Sequence, residues 1–335
     1  MSVNQDEIFV QTKENARREF SFVDEDTVPL DGSKAYPLQP LKPTSAIVVT
    51  GYIPPDALRF SVNLLCKAAS NIALHFNARL DRGYVVRNTK FKGSWEEEET
   101  CSPAAHTAFR RNSYVHILIF CTANAFQIAI NGEHFCAFSY RMPLEDITGI
   151  EINGSLEDTR FRQLKLFVYP DPKLCRPNNF LSLRIDRPLV ESLGVPITVD
   201  LDSEFKVGTR LFIAGRLKLL PHSFYVNLQK GKMIYPHPII TFHFNPRFMY
   251  GNCAPYVVMN CWMNGSWAHE ERHDGHLSWM PGRDFLLTRI RCECETYTIW
   301  LGDKMISEFK HRLQPSIIDT LRISGDIVLH ELAMT

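Results

Sequence analysis

The chain has no surplus of charge of either sign: 37 Lys and Arg balance 37 Asp and Glu across 335 residues. Without a net basic field to gather phosphates, no nucleic-acid partner is expected. No run of 18 apolar residues occurs, so membrane insertion is not expected either. The first residues lack the apolar stretch of a secretory leader, with charges from Asp6 onward, which predicts a cytosolic chain. The nine cysteines form an odd set without zinc-type spacing, the nearest two, Cys292 and Cys294, being separated by one residue. A reduced compartment fits this set better than a disulfide framework, and it calls for no metal or other cofactor. Two Asn-Gly-Ser sequons begin at Asn153 and Asn264, and they carry weight only in a secreted chain.

What the chain does have is an internal repeat. Gly51, Phe60 and Asn63 recur as Gly215, Phe224 and Asn227, offset by 164. His-Phe-Asn-Ala-Arg at 75 to 79 answers His-Phe-Asn-Pro-Arg at 243 to 247. Val86 and Asn88 answer Val258 and Asn260, and Gly93-Ser94-Trp95 answers Gly265-Ser266-Trp267. Phe138 with Phe309 and Gly154 with Gly325 continue the match at an offset of 171. Each unit is long enough to bury its own core, unlike a solenoid repeat. The expected division is a tail at 1–26, a first domain at 27–171, a linker at 172–188 and a second domain at 189–335. The linker assignment rests on Pro and Asn between 171 and 179, which interrupt regular structure. The charged tail is expected to be disordered or weakly helical.

Within each copy apolar residues alternate with period two. Phe60, Val62 and Leu64 share a face, as do Ile72, Leu74 and Phe76, and Ile128 and Ile130 lead into an Asn131-Gly132 hairpin turn. Helical periodicity is not evident. The fold class predicted is all-β, two antiparallel β-sandwiches of jelly-roll type in tandem.

The same alternation singles out a site. Residues two apart on a strand face one way, so His75, Asn77 and Arg79 stand opposite Leu74, Phe76 and Leu80. His243, Asn245 and Arg247 repeat the arrangement against Phe242, Phe244 and Phe248. A ring nitrogen, an amide and a guanidinium in a row offer directional donors and acceptors suited to a neutral, hydroxyl-rich ligand. A solvated outer face would explain one such strand, but not its recurrence followed each time by an Asn, a Trp and a Glu. Trp95 and Trp267 each follow Gly-Ser, a context for an exposed platform on which the C–H face of a pyranose can stack. Glu98 and Glu270, three residues on, can accept hydroxyl hydrogens and orient an arginine.

These residues make the sequence resemble the galectins, specifically the tandem-repeat type with two carbohydrate-recognition domains. The family pattern is His-x-Asn-Pro-Arg, then Val-x-Asn, then Trp-x-x-Glu-x-Arg. Copy two carries all of it in His243, Asn245, Pro246, Arg247, Val258, Asn260, Trp267, Glu270 and Arg272. Copy one carries His75, Asn77, Arg79, Val86, Asn88, Trp95 and Glu98, and departs at Ala78 and Thr100. The resemblance implies galectin- or concanavalin-like sandwiches and a Ca²⁺-independent lectin. Its partners would be β-galactosides such as lactose or N-acetyllactosamine on glycoproteins and glycolipids, in the setting of cell adhesion and innate immunity. It further implies that the His, Asn and Arg hold the axial 4-hydroxyl, that the second Asn and the Glu take the 6-hydroxyl, and that the Trp stacks beneath the ring. Export by a non-classical route to the extracellular space is likewise implied.

The copies are not equivalent. Nine residues separate Arg79 from Asn88 and thirteen separate Arg247 from Asn260, so copy one has a shorter loop beside its site. Copy one is therefore expected to bind simple disaccharides weakly, or to prefer extended or anionic galactosides through Arg82. Three rival readings deserve weight. The segment from His269 to His273 matches the His-Glu-x-x-His of zinc proteases, but Gly265-Ser266 before it and Asp274-Gly275 after it argue against the helix this chemistry needs. Glu96 and Glu98 could pair as glycosidase carboxylates, yet copy two has Ala268 at the first position. Copy one could also be a protein-binding module with a degenerate sugar site.

Overall fold

The computed structural model describes residues 13–17, 27–31, 34–100, 102, 108–175, 181–248, 254–274 and 279–335, with the backbone alone at 191–192 and 285–289. The chain divides into two compact units, Met1–Asn178 and Asn179–Thr335. Each unit is an antiparallel β-sandwich, as the period-two patterning predicts.

In the first unit one sheet runs in the order Val28–Pro29, Glu157–Lys165, Ser45–Ile53, Ser113–Cys121, Ala125–Ile130, Glu133–Ser139. The other runs Tyr36–Pro37, Ile147–Gly154, Arg59–Cys66, Ile72–Arg79, Tyr84–Phe91, Ser94–Trp95. Between them lies a core that includes Phe60, Val62, Leu74, Phe76, Ile117 and Ile128, each at most 1% exposed. The second unit repeats the plan: Thr320–Gly325, Phe224–Lys230, Ile239–Arg247 and Tyr256–Met263 lie in sequence across the sheet that bears the polar strand. Phe242 and Phe244, fully buried, face Tyr297 and Trp279 in its core. Truncating such a phenylalanine to alanine typically costs about 3–5 kcal/mol.

Two details differ from the division read off the sequence. Residues 176–180 of the expected linker lie outside the described residues, but Leu174 and Cys175 are buried and Ser182–Leu183 pairs in parallel with the strand Ile197–Leu201. The segment before them also packs: Tyr169 stacks on Phe120 at 5.2 Å and its hydroxyl meets His134 at 2.9 Å. Of the expected tail, residues 1–12 and 18–26 lie outside the described residues. Residues 13–17 form a turn of helix, with Lys13 paired to Glu157 at 3.1 Å and Arg17 to Asp158 at 3.5 Å.

Turn chemistry explains the placement of both exposed indoles. Lys92 and Gly93 have φ of 49° and 84°, and Asn264 and Gly265 have 53° and 79°. Two consecutive left-handed residues make the hairpin turn that reverses each chain just before its Trp. A different constraint holds Gly154 and Gly325, equivalent positions at φ 97° and 119°. A Cβ on Gly325 would meet the Phe224 Cα and lie 2.5 Å from the Ser223 carbonyl oxygen. Gly325→Ala should therefore lower stability by about 2–4 kcal/mol, through both strain and clash. Gly302→Ala, at φ 61° with nothing within 4 Å of its Cβ, should lower it by only about 1 kcal/mol. Urea unfolding of the two variants checks the contrast, and equal losses would contradict it.

Candidate functional site

Each site begins on one central strand. Strand register sets His75 opposite Asn63 on one side and Asn88 on the other, and His243 opposite Asn227 and Asn260. Directly paired residues on neighbouring strands project to the same face, so each imidazole stands in a transverse row of amides. In both copies Nδ1 of the histidine lies 2.6 Å from the Oδ1 of Asn63 or Asn227. An amide oxygen can only accept, so Nδ1 carries the proton and Nε2 keeps its lone pair for the groove.

The indoles complete the arrangement. Trp95 and Trp267 are 50% and 43% exposed, large values for residues with so much apolar area. Their rings lie 4.7 Å and 4.8 Å from those of His75 and His243, tilted by 52° and 54°. Near-identical geometry in two copies with many differences between them points to one shared task.

The arginines show where the copies diverge. Arg79 donates from Nε to Asn77 at 3.2 Å, from Nη1 to the Tyr84 hydroxyl at 3.0 Å and from Nη2 to Glu98 at 3.2 Å. Arg247 donates from Nε to Asn245 at 2.8 Å, but its Nη2 is 3.9 Å from Glu270. Glu270 is drawn instead to Arg272, whose Nε lies 2.7 Å away. With Thr100 at the matching position, copy one has no second arginine, and Glu98 closes on Arg79. The guanidinium of copy one is the more occupied by its own neighbours.

Every candidate read from the sequence therefore falls in one of two clusters: His75, Asn77, Arg79, Asn88, Trp95 and Glu98 in the first unit, and His243, Asn245, Arg247, Asn260, Trp267, Glu270 and Arg272 in the second. Asn88 and Asn260 are 2% and 5% exposed. Their Nδ2 groups donate to the carbonyls of Glu96 at 2.7 Å and Ala268 at 2.9 Å, which ties the loop behind each Trp to the sheet.

Two supporting pairs escaped sequence reasoning. Asn63 and Asn227 were visible as repeated positions, but their role needs the strand register. Arg141 and Arg312 sit 53 and 52 residues from the amides they approach, Asn88 at 3.2 Å and Asn260 at 3.4 Å. Each also donates to the loop between Trp and Glu, to the Glu97 carbonyl at 2.7 Å and the His269 carbonyl at 2.6 Å. Their shared offset of 171, the same as that of Phe138 and Phe309, was the signal available.

The zinc-protease reading fails on geometry. Glu271–His273 is a strand paired with Val257, Val258 and Met259, so His269 and His273 do not share a helix face. The paired-carboxylate reading meets a similar obstacle, because Glu98 is committed to Arg79.

Burial of the central imidazole, reinforced by Arg247 and His237, holds the pKa of His243 down to about 4, against the pull of Glu270. Burial and Arg79 likewise lower that of His75. Both sites thus present neutral imidazoles at physiological pH.

Two β-sandwiches, each with a row of neutral donors and acceptors beside a bare indole, define a protein made to bind polar ligands and not to break bonds. The chain belongs to the galactoside-binding lectin family, whose sequence model matches residues 34–161 and again 196–334. The double match makes it a tandem-repeat galectin with two carbohydrate-recognition domains, a lectin and not an enzyme. It is 29% identical to Galectin-6 of Mus musculus over 277 residues, 81% of this chain and 84% of that one. It is 27% identical to Galectin-4 of Homo sapiens over 300 residues, 85% and 89% of the two chains. Similarity to a 32 kDa beta-galactoside-binding lectin of Haemonchus contortus reaches 28% over 293 residues, 86% and 89% of each.

The lowered pKa of His243 predicts an acid-sensitive second unit. An unfolded imidazole takes up its proton near 6.5, the folded one near 4, so protons bind the unfolded state first. Stability should be full above pH 6.5, fall on acidification towards 4 and flatten below it. Denaturant unfolding of wild type and His243→Gln across this range tests the claim. The variant should lose less stability on acidification, and an unchanged slope would contradict the assignment.

Proposed function

We propose that each unit binds one β-galactoside, the C–H face of the pyranose lying on Trp95 or Trp267 and the axial 4-hydroxyl reaching the His, Asn and Arg. The repeated imidazole–indole pair, 4.7 Å and 4.8 Å between centroids, carries the reading. It sets an acceptor nitrogen and an apolar platform about one sugar ring apart. The 4-hydroxyl donates to Nε2 of His75 or His243 and accepts from Arg79 or Arg247. The 6-hydroxyl falls to Asn88 and Glu98, or to Asn260 and Glu270. An equatorial 4-hydroxyl, as in glucose, leaves the same groups desolvated and unpaired at about 1–3 kcal/mol each, so galactose is preferred.

Neutral hydrogen bonds in a shallow groove net about 0.5–1.5 kcal/mol each, which after association costs leaves single sites micromolar to millimolar. Two such sites on one chain crosslink glycans by effective concentration. None of the contacts needs a metal, so binding is independent of Ca²⁺. Lactose and N-acetyllactosamine termini on glycoproteins and glycolipids are the ligands of choice. Reaching them requires export from the cytosol by a non-classical route.

A second reading, that copy one serves mainly as a protein-binding module, draws on Thr100 and the self-paired Arg79. The two readings separate in the full chain by calorimetric titration with lactose. Trp267→Ala should leave a residual site about tenfold weaker than the one left by Trp95→Ala, and chelator should change neither. Two equal residual affinities would overturn the ranking of the copies, and no lactose binding in either variant or in wild type would overturn the lectin site itself.

A further inference from the structure

The transverse row does not end at the amide that holds the imidazole. In the second unit strand register aligns Thr198, Arg322, Asn227, His243 and Asn260 across five strands, so that all five project from one face. In the first unit the corresponding row contains Glu151, Asn63, His75 and Asn88. Three members are retained and one is inverted in charge, from Glu151 to Arg322.

Arg322 is only 6% exposed, and its guanidinium has hydroxyls for company. Nε donates to the Tyr225 hydroxyl at 3.3 Å and Nη1 to the Thr198 hydroxyl at 3.2 Å. Among the described residues no carboxylate pairs with it and Nη2 has no acceptor. A charge held in neutral surroundings after losing most of its water gains strongly from an incoming counter-charge. Its field is felt locally: burial alone would raise the pKa of Tyr225, yet Arg322 more than offsets this and lowers it. The Tyr225 ring lies 5.6 Å from that of His243, so the cation borders the imidazole on the side away from Asn260 and the Trp267 hairpin. Neighbouring strands lie about 4.8 Å apart, which puts Arg322 two strands, about 10 Å, from His243 at the backbone and nearer at the side chain.

Glu151 is provided for within its own sheet. It accepts from Asn63 at 3.0 Å and Asn153 at 2.7 Å, and an anion placed beside His75 would face it. Arg82, the cation offered by the short loop of copy one, is exposed and 4.0 Å from Asp81.

We infer that the second unit selects galactosides bearing an anionic group, sulfate or carboxylate, on the 3-hydroxyl next to the one His243 holds, and that the first unit rejects them. Arg322 and Glu151 are the residues that set this difference. The inference rests on the galactoside reading above. It moves the anion preference from copy one, where Arg82 had suggested it, to copy two.

The test uses the full chain carrying Trp95→Ala, so that the second site reports, titrated calorimetrically with lactose and with 3′-O-sulfated lactose. The sulfated ligand should bind about three- to tenfold more tightly, the advantage shrinking with added salt. Arg322→Gln should abolish the advantage while lactose affinity stays within about twofold. Glu151 gives an independent arm that does not depend on how well the buried arginine is replaced. In the Trp267→Ala chain the first site should take sulfated lactose less well than lactose, and Glu151→Gln should erase that difference. Lactose binding without a sulfate advantage in the second site, or an advantage that survives Arg322→Gln, overturns this inference alone. Failure of both sites to bind lactose overturns the galactoside reading and this inference with it.

Discussion

The pleat of a single strand in each unit is the constraint on which both stability and recognition depend. Along Ile72–Arg79 and Ile239–Arg247, alternate side chains must point to opposite faces. Leu74 and Phe76, and Phe242 and Phe244, fill the cores, while His75, Asn77 and Arg79, and His243, Asn245 and Arg247, line the grooves. A slip of one residue in register would exchange the two sets, exposing phenylalanines and burying a guanidinium. The hydrophobic drive that folds the sandwich therefore also fixes the polar row, and no separate device is needed to aim it.

On that frame the site is refined by hydrogen bonds from neighbouring strands. The 2.6 Å contact from Asn63 or Asn227 sets the imidazole tautomer, and burial keeps the ring neutral. Asn88 and Asn260 tie down the loops that follow the indoles, and Arg141 and Arg312 clamp the same loops from the opposite side. These groups are satisfied within the protein, so the groove is formed before a ligand arrives and little ordering remains for binding to accomplish.

How much of this was legible in the sequence follows from the range of each interaction. The fold class, the repeat, the polar trio and the exposed indoles all rest on spacings of a few residues, and period-two patterning reveals them. The asymmetry at Thr100 was also visible, since one missing arginine redirects a nearby glutamate. Asn63 and Asn227, the Arg141 and Arg312 clamps and the exchange of Glu151 for Arg322 could not be read in the same way. Their partners lie on other strands, and only register places them side by side. The stretch before residue 188 shows the same limit: Pro and Asn suggested a linker, whereas Leu174 and Cys175 are buried and Ser182–Leu183 joins the second sheet.

The duplication lets one fold carry two grooves tuned apart. The shared row keeps an imidazole, an amide and an indole in fixed relation, while Arg272, Tyr225 and Arg322 surround it in one unit and Thr100, Ser61 and Glu151 in the other. The most direct test of the central claim is a crystal structure of the chain grown with lactose. The account predicts, in the second unit, a galactose ring flat against Trp267 with its 4-hydroxyl within hydrogen-bond distance of His243 Nε2. A sugar seated elsewhere on the sandwich, or a His243 bonded through Nδ1 to the ligand instead of to Asn227, would contradict it.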